Sequence, residues 1–174
     1  MPNIIPEKIT KFNIYADDSR LLGVADGNFP SLEFITTEIK GSGIAGTIDS
    51  PGGGMFGPIV VTLNWRTTTP DFWELAAPGG HILNMYAELL SYDAGYGEYK
   101  SQQLYVYIKA FTKKLDMGKL PDMESQEGST EHEVYYMKVD IDNAEQLMID
   151  KFDYVYRVQG RDYLADTRRA LGIW

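Results

Sequence analysis

The chain has 174 residues, the size of one ordinary domain and short for two. Hydrophobic residues make up 44% and charged residues 24%, which allows a sizeable core and argues against global disorder. Acids outnumber bases 25 to 16, for a net charge of −9, so nucleic acid and anionic membranes are poor candidates for a bound partner. The absence of cysteine removes disulfides, cysteine-ligated metals and thiol nucleophiles together. Two histidines, His81 and His132, do not make a metal cage, and no cofactor is called for. The first residues lack a basic region followed by an apolar run, and no stretch is apolar for 18 residues. The sequence therefore reads as a soluble, acidic domain over residues 1–174, kept in a cytoplasm-like compartment.

In chain order, residues 11–16 (KFNIYA) alternate polar and apolar and then meet a turn cluster at Asp17, Asp18 and Ser19. Residues 21–25 read as the hairpin partner. Residues 32–39 (LEFITTEI) are β-branched and aromatic, the next strand. Seven glycines and two prolines over 41–58 are too many for a core element. Residues 59–66 alternate cleanly, with Ile59, Val61, Leu63 and Trp65 on one face and Val60, Thr62, Asn64 and Arg66 on the other. Thr69, Pro70 and Asp71 open a helix of about two turns that Pro78 and Gly79 close.

A long hairpin follows, from residues 82–92 and 98–113, then a polar loop over 118–128. Strands over 130–142, 146–149 and 152–159 come next. Asp162 caps a closing helix over 163–171 that Gly172 ends. The expectation is a mainly β, α+β chain: roughly eight or nine antiparallel strands forming a sandwich or barrel-like unit, with two short helices.

Motifs that carry chemistry elsewhere fail here on context. Gly41, Gly43 and Gly46 fit the dinucleotide spacing G-x-G-x-x-G, yet the following TIDSPGGG cannot open the helix whose amides would meet a pyrophosphate. Asp140, Asp142 and Asn143 resemble the start of a calcium loop, but its sixth and twelfth positions are Glu145 and Lys151. Glu131, His132 and Glu133 form the best acid–base candidate, and they keep an enzyme or small-ligand barrel open as the rival class. Strand alternation puts His132 on the opposite face from both glutamates. The more informative feature is that residues 41–58 set Ile44, Ala45, Ile48, Met55 and Phe56 among glycines. Apolar side chains on such an arm point to docking on another chain, against the alternative of a loop folded onto its own core.

Several segments taken together resemble the major tail tube proteins of contractile-tailed bacteriophages and phage-tail-like bacteriocins. They are LEFITTEIKGSGIAG (32–46), LNWR (63–66), LAAPG (75–79), GEYK (97–100), LDMG (115–118), YMKVDID (136–142) and DYLADTRRALG (162–172), in that order. The resemblance implies a β-sandwich or barrel-like subunit that forms hexameric rings, stacked into a tube inside a contractile sheath, with an inner β-barrel continuous around each ring. It implies no catalysis. Its partners would be further copies of the chain, the sheath, baseplate and tail terminator proteins, and DNA in transit without specific binding, or none in a bacteriocin. The protein would lie in the virion tail, assembled in the host cytoplasm and without membrane insertion. The arm at about 40–58, with Gly43, Ile44, Ala45, Ile48, Met55 and Phe56, would reach the next ring. Thr62, Asn64, Arg66, Asn84 and Glu88 would face the lumen.

Overall fold

The computed structural model describes residues 4–17, 19–20, 23–120 and 122–173. Strand β1 (Ile4–Ala16) is followed by β2 (Ser19–Arg20), β3 (Val24–Asn28), β4 (Phe34–Ile39), β5 (Ile48–Phe56) and β6 (Val60–Trp65). Helix α1 (Pro70–Glu74) precedes the long strands β7 (Gly80–Asp93), β8 (Glu98–Asp116) and β9 (Gly128–Ile141). The chain closes with β10 (Ala144–Asp150), β11 (Val155–Val158), β12 (Arg161–Asp162) and α2 (Ala165–Ala170).

Ten strands form one antiparallel sheet in the order β12-β11-β10-β9-β8-β7-β1-β2, with β3 and β6 off this path. Strand β9 is its hinge line. One edge pairs with β8 along the whole strand, while the other holds β6 beside residues 128–133 and β10 beside residues 136–141. A register shift between Lys109 and Ala110 accompanies that change of neighbour, as bulges do where a sheet bends. The sheet curls until β3 faces β1 across the core: a Cβ built on Gly27 would lie 3.4 Å from Leu63 and 4.0 Å from Ile14. The result is a barrel-like wall left open along the β1–β3 seam.

Inside the wall, Ile59, Val61, Leu63 and Trp65 are 0–1% exposed, as the alternation requires, and meet Leu83, Ile108, Val134 and Ile149. Phe72 and Leu75 bring α1 onto this cluster, with the Phe72 ring 5.6 Å from Trp65. Burying such side chains contributes roughly 1.5–3 kcal/mol each.

Three sequence expectations change. Strand β1 begins at Ile4 rather than near residue 11, because its pairing with β7 runs on to Asp93. The partner expected at 21–25 is not a hairpin mate of β1: β3 pairs with β6, and only β2 returns on the end of β1, while residues 21 and 22 lie outside the described set. Strand β4 falls within the stretch 32–39 where a strand is expected, with all six of its residues exposed. The glycine-rich stretch holds β5, nine residues paired with β4 in a separate two-stranded sheet. Pro51 is tolerated there because an edge strand can lack one donor. Gly54, at φ +82°, lets the backbone pass where a Cβ would stand 3.2 Å from Leu164.

Candidate assembly surfaces

The arm is thus a β-hairpin of residues 34–56 whose bend spans 40–47. Gly43 and Gly46 sit in that bend at φ +99° and +123°, conformations that favour glycine. No helix opens after them, so the G-x-G-x-x-G spacing serves a turn. Gly43, Ile44, Ala45, Ile48 and Met55 are exposed, together with Ile35 and Ile39 of β4. Phe56 differs. Its ring lies 4.9 Å from Phe34 and 5.0 Å from Tyr156, so it roots the hairpin on its own subunit.

Thr62 and Asn64 of β6, and Asn84 and Glu88 of β7, are partly exposed on the outward face of one curled sheet. Strands β6 and β7 are three spacings apart, roughly 14 Å. Asn64 donates to Asp26 at 2.5 Å, and the Tyr105 hydroxyl donates to Asn84 at 2.7 Å. Burial pushes the Tyr105 phenol up to about 12, with help from neighbouring Tyr86, so it stays a donor at any ordinary pH. Hydrogen bonds from Ser101, at 2.6 Å, and from Thr10 hold the Glu88 carboxyl below its usual range. Arg66 is exposed at the end of β6, with its carbonyl taken by Gln126.

The acid–base candidate separates as alternation requires. Glu131 pairs outward with Lys114 at 3.3 Å, and Glu133 with Lys151 at 3.0 Å while accepting the Ile59 amide. His132 is wholly buried on the other face. The two carboxylates spend themselves on different lysines, and no third acid or histidine joins them among the described residues. Asp142 and Asn143, at φ 49° and 64°, form the tight β9–β10 turn. Asp142 accepts from the Gln103 amide at 2.8 Å, which gives the would-be calcium ligand a structural task.

Sequence reasoning missed the exposed apolar side of β1. From Ile4 to Ile14 that strand has β7 on one side and no paired strand on the other among the described residues. Ile4, Ile5, Ile9 and Phe12 are 41–48% exposed along it. Beside this edge, the β1–β3 seam opens a groove of about 120 Å³ bordered by Ile9, Phe12, Phe29 and Met85. Residues 4–11 (IIPEKITK) carry no period of two that could have signalled it, since all of them are exposed and the register with β7 shifts between Pro6 and Lys8 and again between Ile9 and Phe12.

The family model of the phage tail tube protein FII matches residues 6–172. The chain belongs to that family. Its role is therefore structural, as a tail tube protein, and its place is the tail of the particle. No curated protein sequence matches this tail tube protein. Among solved structures, it resembles the PVC sheath/tube terminator of an extracellular contractile injection system, in the extended state, determined by cryo-EM. That likeness has a TM-score of 0.54 at 12% identity and covers 78% of this chain and 96% of the other, so it speaks for the fold. Among the described residues no helix is long and apolar enough to cross a membrane.

Proposed function

We propose that the chain polymerises as hexameric rings stacked into the inner tube of a contractile tail. The tube lies inside a sheath and is capped by baseplate and terminator proteins; in a phage DNA passes through it, and in a bacteriocin nothing does. Assembly takes place in the host cytoplasm. Residues 1–174 act as one unit from which the hairpin arm extends. The observation that carries this reading is that arm, where Ile35, Ile39, Ile48 and Met55 stand 44–55% exposed on a two-stranded sheet. An apolar hairpin in water is a surface waiting for cover. Gly43, Ile44, Ala45, Ile48 and Met55 reach the next ring, while Phe56 anchors the root. The free edge of β1 supports lateral sheet pairing within a ring, since long apolar edges are otherwise an aggregation hazard. The outward set Thr62, Asn64, Arg66, Asn84 and Glu88 faces the lumen, where the chain's net negative charge keeps phosphates from adhering. The role of that structural neighbour as a sheath/tube terminator favours sheath and terminator partners.

The test shortens the hairpin, replacing residues 38–49 by a two-residue glycine turn so that Phe34 and Phe56 keep their packing. The subunit should fold, as judged by circular dichroism, and negative-stain microscopy should show rings without rods. Rods of ordinary length would remove the arm from the stacking contact.

A further inference from the structure

Two stiff projections end the long β7–β8 hairpin in opposite directions, and each carries bare apolar side chains. At the turn, the Asp93 carboxylate has no exposed surface. It accepts from the Gly95 amide at 3.0 Å and from Lys100 Nζ at 2.6 Å, and the Gly97 amide bonds to the Asp93 carbonyl at 2.7 Å. On this locked turn Tyr96 and Tyr99 are 78% and 63% exposed, with Lys100 over the Tyr96 ring at 5.7 Å. At the other end, Gln126 braces the β8–β9 connection. Its amide donates to the Arg66 carbonyl at 2.8 Å, and its carbonyl accepts from the Lys119 amide at 2.8 Å. Its side chain donates to Met117 at 2.7 Å and accepts from the Thr68 amide at 3.0 Å. Gly118, at φ +73°, is fixed by the same crossing, since a Cβ there would lie 2.1 Å from the Gln126 carbonyl. Beyond this stem Leu120 and Met123 are each 99% exposed.

A merely solvated loop needs neither such bracing nor uncovered leucine and methionine, and exposed tyrosine on a rigid turn is the usual anchor of an interface. The ends lie at opposite termini of β8, Glu98–Asp116, a bulged strand whose contour is at most roughly 60 Å. A second copy placed head to tail covers both ends with one repeated contact, and repetition of a heterologous contact gives an open stack. Like-to-like pairing would reverse the direction of successive copies, whereas the arm contact proposed above repeats in one direction, so tips meet loops.

We infer that the Tyr96–Tyr99 tip of one copy seats on Leu120 and Met123 of the next, a longitudinal contact separate from the arm. This rests on the tube reading. The cysteine-free chain allows a direct test. A disulfide needs Cα atoms within about 7 Å, so Tyr96→Cys and Leu120→Cys in one chain can join only between copies. Oxidised polymer of the double variant should give a ladder of multimers on a non-reducing gel, and each single variant should give monomer. Rods without a ladder overturn this contact and leave the tube standing. Dimers of the Tyr96→Cys single variant show tip-to-tip packing and overturn it too. A wild-type chain that never polymerises overturns the tube reading and this contact with it. Independently, Leu120→Asp with Met123→Asp, at fully exposed positions that spare the fold, should raise the critical concentration for polymerisation at least tenfold. An unchanged value counts against the seat, and protection of both sites only when sheath protein is added assigns them to the sheath instead.

Discussion

His132 has its protonation state written into its neighbours. Thr112 donates its hydroxyl to the Leu75 carbonyl at 2.6 Å, so it can only accept from His132 Nδ1 at 3.2 Å. Thr130 accepts from the Trp65 indole at 3.1 Å, which leaves its own hydroxyl hydrogen for His132 Nε2 at 3.0 Å. This network assigns a neutral ring carrying its hydrogen on Nδ1. Burial, aided by nearby His81, lowers its pKa from 6.5 to about 4. Because the folded value lies below the unfolded one, the stabilisation is complete above pH 6.5 and is lost as pH falls toward 4. The loss is on the order of 3 kcal/mol. The chain should therefore lose melting temperature between pH 6.5 and 4. His132→Gln, able to donate and accept but not titrate, should be less stable at pH 7 and show a shallower acid slope. Parallel slopes for the two proteins would remove His132 as the cause.

At the scale of elements, strands were legible where one face meets a core and illegible where none does. Ile59, Val61, Leu63 and Trp65 announced β6 because burial on one side imposes a period of two. Strand β5 meets the core only at its end, through Phe56, and its half-buried positions before that are Ser50, Gly52 and Gly54, so no apolar period marks it, while its pairing partner, β4, reads as an ordinary strand. The partner of β3 was hidden for another reason: β6 lies more than thirty residues further on, beyond any local turn signal. Among the assembly surfaces, the arm showed itself by composition, whereas the exposure of Tyr96 and Leu120 is decided by tertiary bracing that no local pattern reports. The face assignment of β6 is directly testable. In assembled rods, Asn64→Cys should react with a small hydrophilic thiol reagent entering through the tube ends, and Leu63→Cys should stay protected. Protection at both positions in rods, with Asn64→Cys reactive in free subunits, would place this face in a subunit contact rather than on the lumen.

At the scale of the whole molecule, the core and the arm obey different rules. The barrel-like wall closes on one continuous apolar cluster, and its large buried side chains hold it without help from a neighbour. The β4–β5 hairpin stands on an aromatic root of Phe34, Phe56 and Tyr156 and has nothing packed over its far end. An isolated pair of strands is marginal in water, so much of the arm's ordering entropy is spent only when it docks. Two free subunits that meet must both order an arm for a single contact. A subunit landing on a finished ring has a ready surface for its arm, and it adds more easily. Polymerisation followed by light scattering should then show a lag that short preformed rods abolish, and growth without a lag would contradict this account. In the tube proposed above, the unsupported hairpin would make the first ring the slow event. Subunits of such a tube would accumulate without polymerising until a template is present, and the number of templates, rather than the supply of protein, would set how many tubes form.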